Sequence, residues 1–154
     1  MRTFLKLTLL CLILSACSDN GFNDIHTFVD DKSIQTINGT WRLISFEDLV
    51  NKKVELNNET NSRGQDVIIT LDDTMTPPVF SGVNTTNRLE GGFEYISTRQ
   101  MKIQTLFTTE VVQPDWGNKF STALVSGHLD FIVSSRRLRF YYDNRLKSMT
   151  FEKQ

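Results

Sequence analysis

The chain predicts a β-rich α+β domain: an antiparallel sheet or partly open barrel of about eight strands, with one short helix packed across it. Three observations lead there. From Asn38 onward, short segments rich in β-branched and aromatic residues alternate with turn clusters, the pattern of antiparallel strands. One stretch around Trp116 has instead the apolar period of a helix. The chain has 154 residues, 39% hydrophobic and 23% charged, which fits a single domain able to bury a core without staples.

The expected strands are, in order, 40–46, 67–71, 79–83, 91–96, 101–107, 129–133, 138–142 and 148–152. Ser134-Ser135-Arg136 and Asp143-Asn144-Arg145 supply polar turns between the last three, so the C-terminus reads as a meander. Residues 55–65 and Thr76-Pro77-Pro78 read as loops. Asp72-Asp73-Thr74 suits a turn in which Asp side chains accept from nearby backbone N–H groups. In 115–125, Trp116, Phe120, Ala123 and Leu124 fall at i, i+4, i+7 and i+8, the stripe of a short helix. Pro114 and Asp115 start it and Gly127 stops it. Trp41, Phe93, Phe107, Trp116, Phe120, Phe131 and Phe140 are the core candidates.

The N-terminus is an address. Arg2 and Lys6 precede an apolar run from Leu7 to Leu14 that is interrupted only by Thr8, the layout of a signal peptide and far short of the roughly 20 residues a spanning helix needs. The run ends in Leu14-Ser15-Ala16-Cys17. This resembles the lipobox of bacterial lipoproteins, which implies cleavage between Ala16 and Cys17 and acylation of Cys17. Two or three acyl chains would hold the protein on a membrane durably. Ser18 stands where inner-membrane retention signals carry Asp, so an outer-membrane lipoprotein is expected. The periplasmic face and the cell surface both stay open.

Three segments follow: a signal peptide over 1–16, the lipidated Cys17 with a flexible acidic tether to residue 37, and a folded domain over 38–154. The tether holds Asp19, Asp24, Asp30 and Asp31 against Lys32, an acidic balance that also resembles the surface-export signals of some Bacteroidetes lipoproteins. The folded domain carries 14 basic and 14 acidic residues. Its neutrality excludes a nucleic-acid binder, whose domains are basic. Arg137 and Arg139 alternate with Leu138 and Phe140, which puts both on one strand face, expected to be solvated.

Catalytic and metal chemistry find little support. Cys11 and Cys17 are the only cysteines, so the folded part has no disulfide, Cys-ligated zinc or thiol nucleophile. His26 lies in the tether, and His128 begins a strand, without a Gly-x-Ser-x-Gly elbow in the chain. No calcium loop motif is present. Glu90 and Glu94 share a strand face that is expected to be solvated. No cofactor and no metal are expected, and a monomer is. The run Asn84-Thr85-Thr86-Asn87-Arg88 between two strands is the candidate recognition loop, with a plain turn as the alternative.

The order of these pieces resembles the META domain of heat-shock-associated envelope lipoproteins. Gly39-Thr40-Trp41-Arg42-Leu43-Ile44-Ser45 resembles its opening strand. Phe80-Ser81-Gly82 and Asn87-Arg88-Leu89-Glu90-Gly91-Gly92-Phe93 resemble its central signature, and Met101-Lys102-Ile103 with Thr108 its next strand. Thr86 stands where the family has a Cys before the Asn, and a second family Cys, near Val112, is missing. The resemblance implies a non-catalytic envelope protein that binds a partner, an envelope protein or small ligand, or supports the envelope under stress. Gly39-Thr40-Trp41 also resembles the Gly-x-Trp element of lipocalin-like barrels, which would imply an apolar ligand inside the barrel.

Overall fold

The computed structural model describes residues 28–154. The expected signal peptide, Ala16, Cys17 with its lipid, His26 and the first part of the tether lie outside those residues.

Among the described residues there are nine strands: β1 (Gly39–Asp48), β2 (Lys53–Leu56), β3 (Val67–Asp72), β4 (Val79–Asn84), β5 (Asn87–Ser97), β6 (Gln100–Thr108), β7 (His128–Val133), β8 (Arg137–Tyr142) and β9 (Lys147–Lys153). Helix α1 (Glu59–Ser62) follows β2, and α2 (Asp115–Leu124) lies between β6 and β7. Neighbouring strands run antiparallel in the order β2-β1-β3-β4-β5-β6-β7-β8-β9, and β1 also pairs with β9. Eight strands thus form a ring, with β2 laid beside the last residues of β1. The β-rich architecture with a helix across it is as the sequence predicts.

The ring is not evenly closed. β6 and β7 pair only through Gln100–Lys102 and His128–Asp130. β1 spends its first half on β3 and its second on β2. Call the end where β1 finishes the upper end. There α2 crosses the ring and buries Trp116, Phe120, Ala123 and Leu124. Trp116 meets Phe46 edge-on at 4.8 Å and Phe120 meets Phe151 at 6.2 Å. Below them Phe140 contacts both Phe151 and Phe131, and Tyr95 links Phe131 to Phe93, so a chain of ring contacts runs down the interior, where Trp41 is also fully buried. Each such side chain contributes about 2 kcal/mol of burial free energy.

Two bulges set which residues face inward. In β1, Leu43 pairs with Phe151 and Ser45 with Thr150, so Ile44 is an extra residue that reverses the alternation. Phe46 and Asp48 consequently point inward. In β6, Ile103 pairs with Phe93 and Thr105 with Gly92, so Gln104 is the extra residue. Beyond it Leu106 takes the inner position and Phe107 turns outward, 65% exposed. Phe107 is therefore not a core residue, because a bulge breaks the period that the expectation assumed.

Three further differences have local causes. Residues 55–65 are not all loop: β2 is short and polar, and α1 is one turn whose Asn58 cap accepts from the backbone of Thr60 and Asn61. Arg139 is not solvated but 4% exposed, because Glu47 arrives from β1 to form an ion pair at 3.2 Å, while Thr150 accepts from its Nε. Residues 28–37 do not behave as a free tether. Asp31 and Asp30 bond the backbone of Val133, Arg99 pairs with Asp30, and Ile37 is fully buried beside Trp41. Asp73 accepts from Thr36, from the Ile37 backbone and from the Tyr95 hydroxyl, which pins this segment across the lower end.

Candidate functional site

The residues expected to form a recognition loop make a tight turn between β4 and β5, in which Asn84 pairs with Asn87 and Thr85 takes a left-handed φ of 53°. Asn84, Thr85 and Asn87 are buried. Their side chains are spent inside the molecule. Asn84 donates to the Gly117 carbonyl and to Ser121 of α2, at 2.9 and 2.6 Å. Asn87 donates to the Val111 carbonyl and to Gln113, and accepts from Thr109 and the Val111 backbone. Thr86 donates to the Val112 carbonyl at 3.3 Å. The backbone of Arg88 donates to the Thr109 hydroxyl, and its side chain faces solvent on the outer face. The turn is thus a brace that holds the segment 109–113 and α2 over the upper end of the ring.

The helix that the brace holds is one wall of an open groove of about 610 Å³. Asn118, Lys119, Thr122 and Ala123 of α2 form that wall, and the ends of β8, β9, β1 and β2 form the other. The register there is direct: Tyr142 opposes Lys147, Lys147 opposes Asp48, and Asp48 opposes Lys53. Tyr142, Lys147 and Asp48 are two positions beyond, or before, the packed inner layer of Phe140, Met149 and Phe46, and Lys53 lies directly opposite Asp48, so the four share one face. The groove has an apolar floor in Phe46, Ala123 and the Tyr142 ring, beneath a charged rim.

Most rim charges are already matched. Lys119 pairs with Glu55 and stands 5.4 Å from the centre of the Phe46 ring. Lys147 pairs with Asp143 at 2.9 Å, which raises its pKa, mainly through that hydrogen bond. Asp48 accepts from the backbone and amide of Asn51 and from the Val50 backbone, and those bonds hold its carboxyl below the ordinary value. Lys53 has no carboxylate partner among the described residues. Tyr142 is 8% exposed, and its hydroxyl has no hydrogen bond among them. Burial, with Asp143, Asp48 and Glu55 adding to it, pushes its phenol up to about 12. No motif in the sequence signals this groove, because it depends on the β1 bulge and on pairing between distant strands.

The residues considered for chemistry are dispersed. His128 is exposed at the start of β7, and Glu90 and Glu94 are exposed on the outer face of β5. Asp72 accepts from Thr74 as its turn predicts, whereas Asp73 serves the lower end. Among the described residues no three His, Cys, Asp or Glu side chains stand together as a metal site would require.

No family model matches the chain, and none of the curated proteins matches it. Solved structures do. A protein from Burkholderia xenovorans determined by NMR superposes with a TM-score of 0.59 at 16% identity, over 76% of this chain and 82% of that one. A DUF4847 family protein from Bacteroides vulgatus superposes with a TM-score of 0.52 at 18% identity, over 76% of this chain and 94% of its own. At these identities the likeness is one of fold.

Proposed function

We propose that this chain is a lipid-anchored protein of the bacterial outer membrane, held by acylated Cys17, whose META-like domain works by binding at its surface and not by catalysis. The observation that carries the surface reading is the packed ring. Trp116 and Phe120 fill its upper end and a chain of ring contacts runs down the rest, so a partner or ligand has the rim and outer faces to engage. Two local features support the META resemblance. A helix stands between the strand at 100–108 and the strand at 128–133, in the order the resemblance implies. Thr86 and Val112, the positions answering to the family's cysteines, are in contact.

The anchor is tested directly. Expressed in a bacterial host, the wild-type chain is expected in the membrane fraction with a mass that includes the lipid, and Cys17→Ala is expected to lose both. A variant that still partitions with membranes, at an unchanged processed mass, would overturn the lipidation.

A further inference from the structure

β2, the upper half of β6 and the end of β7 each have a side without a neighbouring strand. Two of these edges are guarded. β2 carries Lys53 and Glu55 on a strand of only four residues, and Asn61 donates to its Leu56 carbonyl. At the end of β7, Val133 accepts from the Asp31 backbone and donates to the Asp30 carboxylate, while Phe131 donates to the Arg99 carbonyl. β6 has neither safeguard. Residues 103–109 contain no charge and no proline, and Thr105, Phe107 and Thr108 are exposed, Phe107 by 65%. Thr109 donates its amide to the Arg88 carbonyl, so Thr109 and Phe107 direct their backbone groups at β5 and the intervening Leu106 and Thr108 direct theirs away from it. Those amides and carbonyls have no partner among the described residues.

We propose that this edge pairs with the same edge of a second copy of the chain, antiparallel about a two-fold axis at Phe107, so that two sheets join through β6. This departs from the monomer expected of the sequence. The edge is complementary to itself. Setting Leu106 opposite Thr108 of the second copy gives every free amide and carbonyl of these two residues a partner. The same register sets Phe107 against its own counterpart as the close, non-hydrogen-bonded pair and Thr105 against Thr109, with no like charges opposed. A foreign strand would have to supply these matches, whereas a second copy carries them already. An edge this short buries less than the roughly 800 Å² per partner of a standard interface, so the pairing is weak and reversible. It does not depend on the lipid anchor.

The test uses the full chain with Cys11→Ala and Cys17→Ala, in which an added cysteine is the only thiol and no lipid gathers the copies. Phe107→Cys in this background is expected to form a covalent dimer under a mild oxidant, since the Cα atoms of such a pair, roughly 4.5 Å apart, lie within disulfide reach. Thr105→Cys is expected to crosslink to itself about tenfold more slowly, because the register offsets its two copies by four residues, roughly 13 Å. A mixture of Thr105→Cys and Thr109→Cys chains is expected to crosslink to each other. Thr108→Pro removes an edge amide and leaves the β5 ladder intact, and is expected to cut the Phe107→Cys yield about tenfold at an unchanged far-ultraviolet spectrum. Equal crosslinking at Phe107 and Thr105, or a yield that Thr108→Pro leaves unaltered in the folded chain, overturns the proposal. So does an oxidised Phe107→Cys chain that stays monomeric, which would leave the edge to a strand of another protein.

Discussion

Two tryptophans, both fully buried, differ in what their indole nitrogens find. Trp41 donates to the Ile37 carbonyl at 2.8 Å, whereas Trp116 Nε1 has no acceptor among the described residues. Replacing each by Phe removes similar volume. In Trp41→Phe the Ile37 carbonyl loses its partner in a dry core, while in Trp116→Phe an unsatisfied donor disappears with the ring. The first change is therefore expected to cost about 1–2 kcal/mol more than the second, measured by urea unfolding. Equal costs would show that the hydrogen bond at the lower end contributes nothing. At this scale the sequence was legible for burial and silent on partners. Both tryptophans read as core from their neighbours in the chain, but the Glu47 that buries Arg139 comes from a strand whose arrival no local pattern announces.

Elements were legible wherever hydrophobic period and turn chemistry agreed. The eight longer strands and α2 announce themselves by such patterns. β2 and α1 do not, since a four-residue polar strand and a single capped turn are stabilised by neighbours more than by their own composition. Bulges are the deeper limit. A single extra residue at Ile44 or Gln104 reverses every side chain beyond it, and Phe107 is on the outside for that reason alone. The turn at Asn84-Thr85-Thr86-Asn87 was legible as a feature, and its burial shows its work to be internal. Asn87→Ala deletes a side chain with four hydrogen bonds to the segment 109–113. It is expected to cost about 3 kcal/mol and to speed amide exchange at Val111 and in α2 more than in β8 and β9. Uniform acceleration across the sheet would mean that the brace is not a local device.

For the molecule as a whole, the alkaline limit follows from two phenols raised in the folded state, Tyr95 by burial and its bond to Asp73, and Tyr142 by burial. That of Tyr142 rises from an ordinary value near 10 to about 12. The stability linked to it is thus complete below pH 10, where both states are protonated. It falls as pH rises from 10 to 12, because the unfolded chain releases the proton first. Thermal melts across that window should show a progressive loss of stability, flatter in Tyr142→Phe. A variant with the wild-type slope would assign the loss to other groups. The sheet class and single-domain organisation were legible from composition and period, but the closure of the ring was not. Pairing of β1 with β9 joins the two ends of the described fold, and such contacts carry no signal within a local window.

The docked segment 28–37 makes the body of the domain larger than its sheet. Asp30, Asp31 and Ile37 fasten it across the lower end. From there it turns up the side, where the Phe28 ring lies 5.7 Å from the Arg139 guanidinium on the outer face of β8. The chain thus leaves the described residues beside the buried Glu47–Arg139 pair, part-way up the sheet. What looks in the sequence like the last stretch of a leash is wall, and the ion pair beneath it is shielded by residues that precede the first strand.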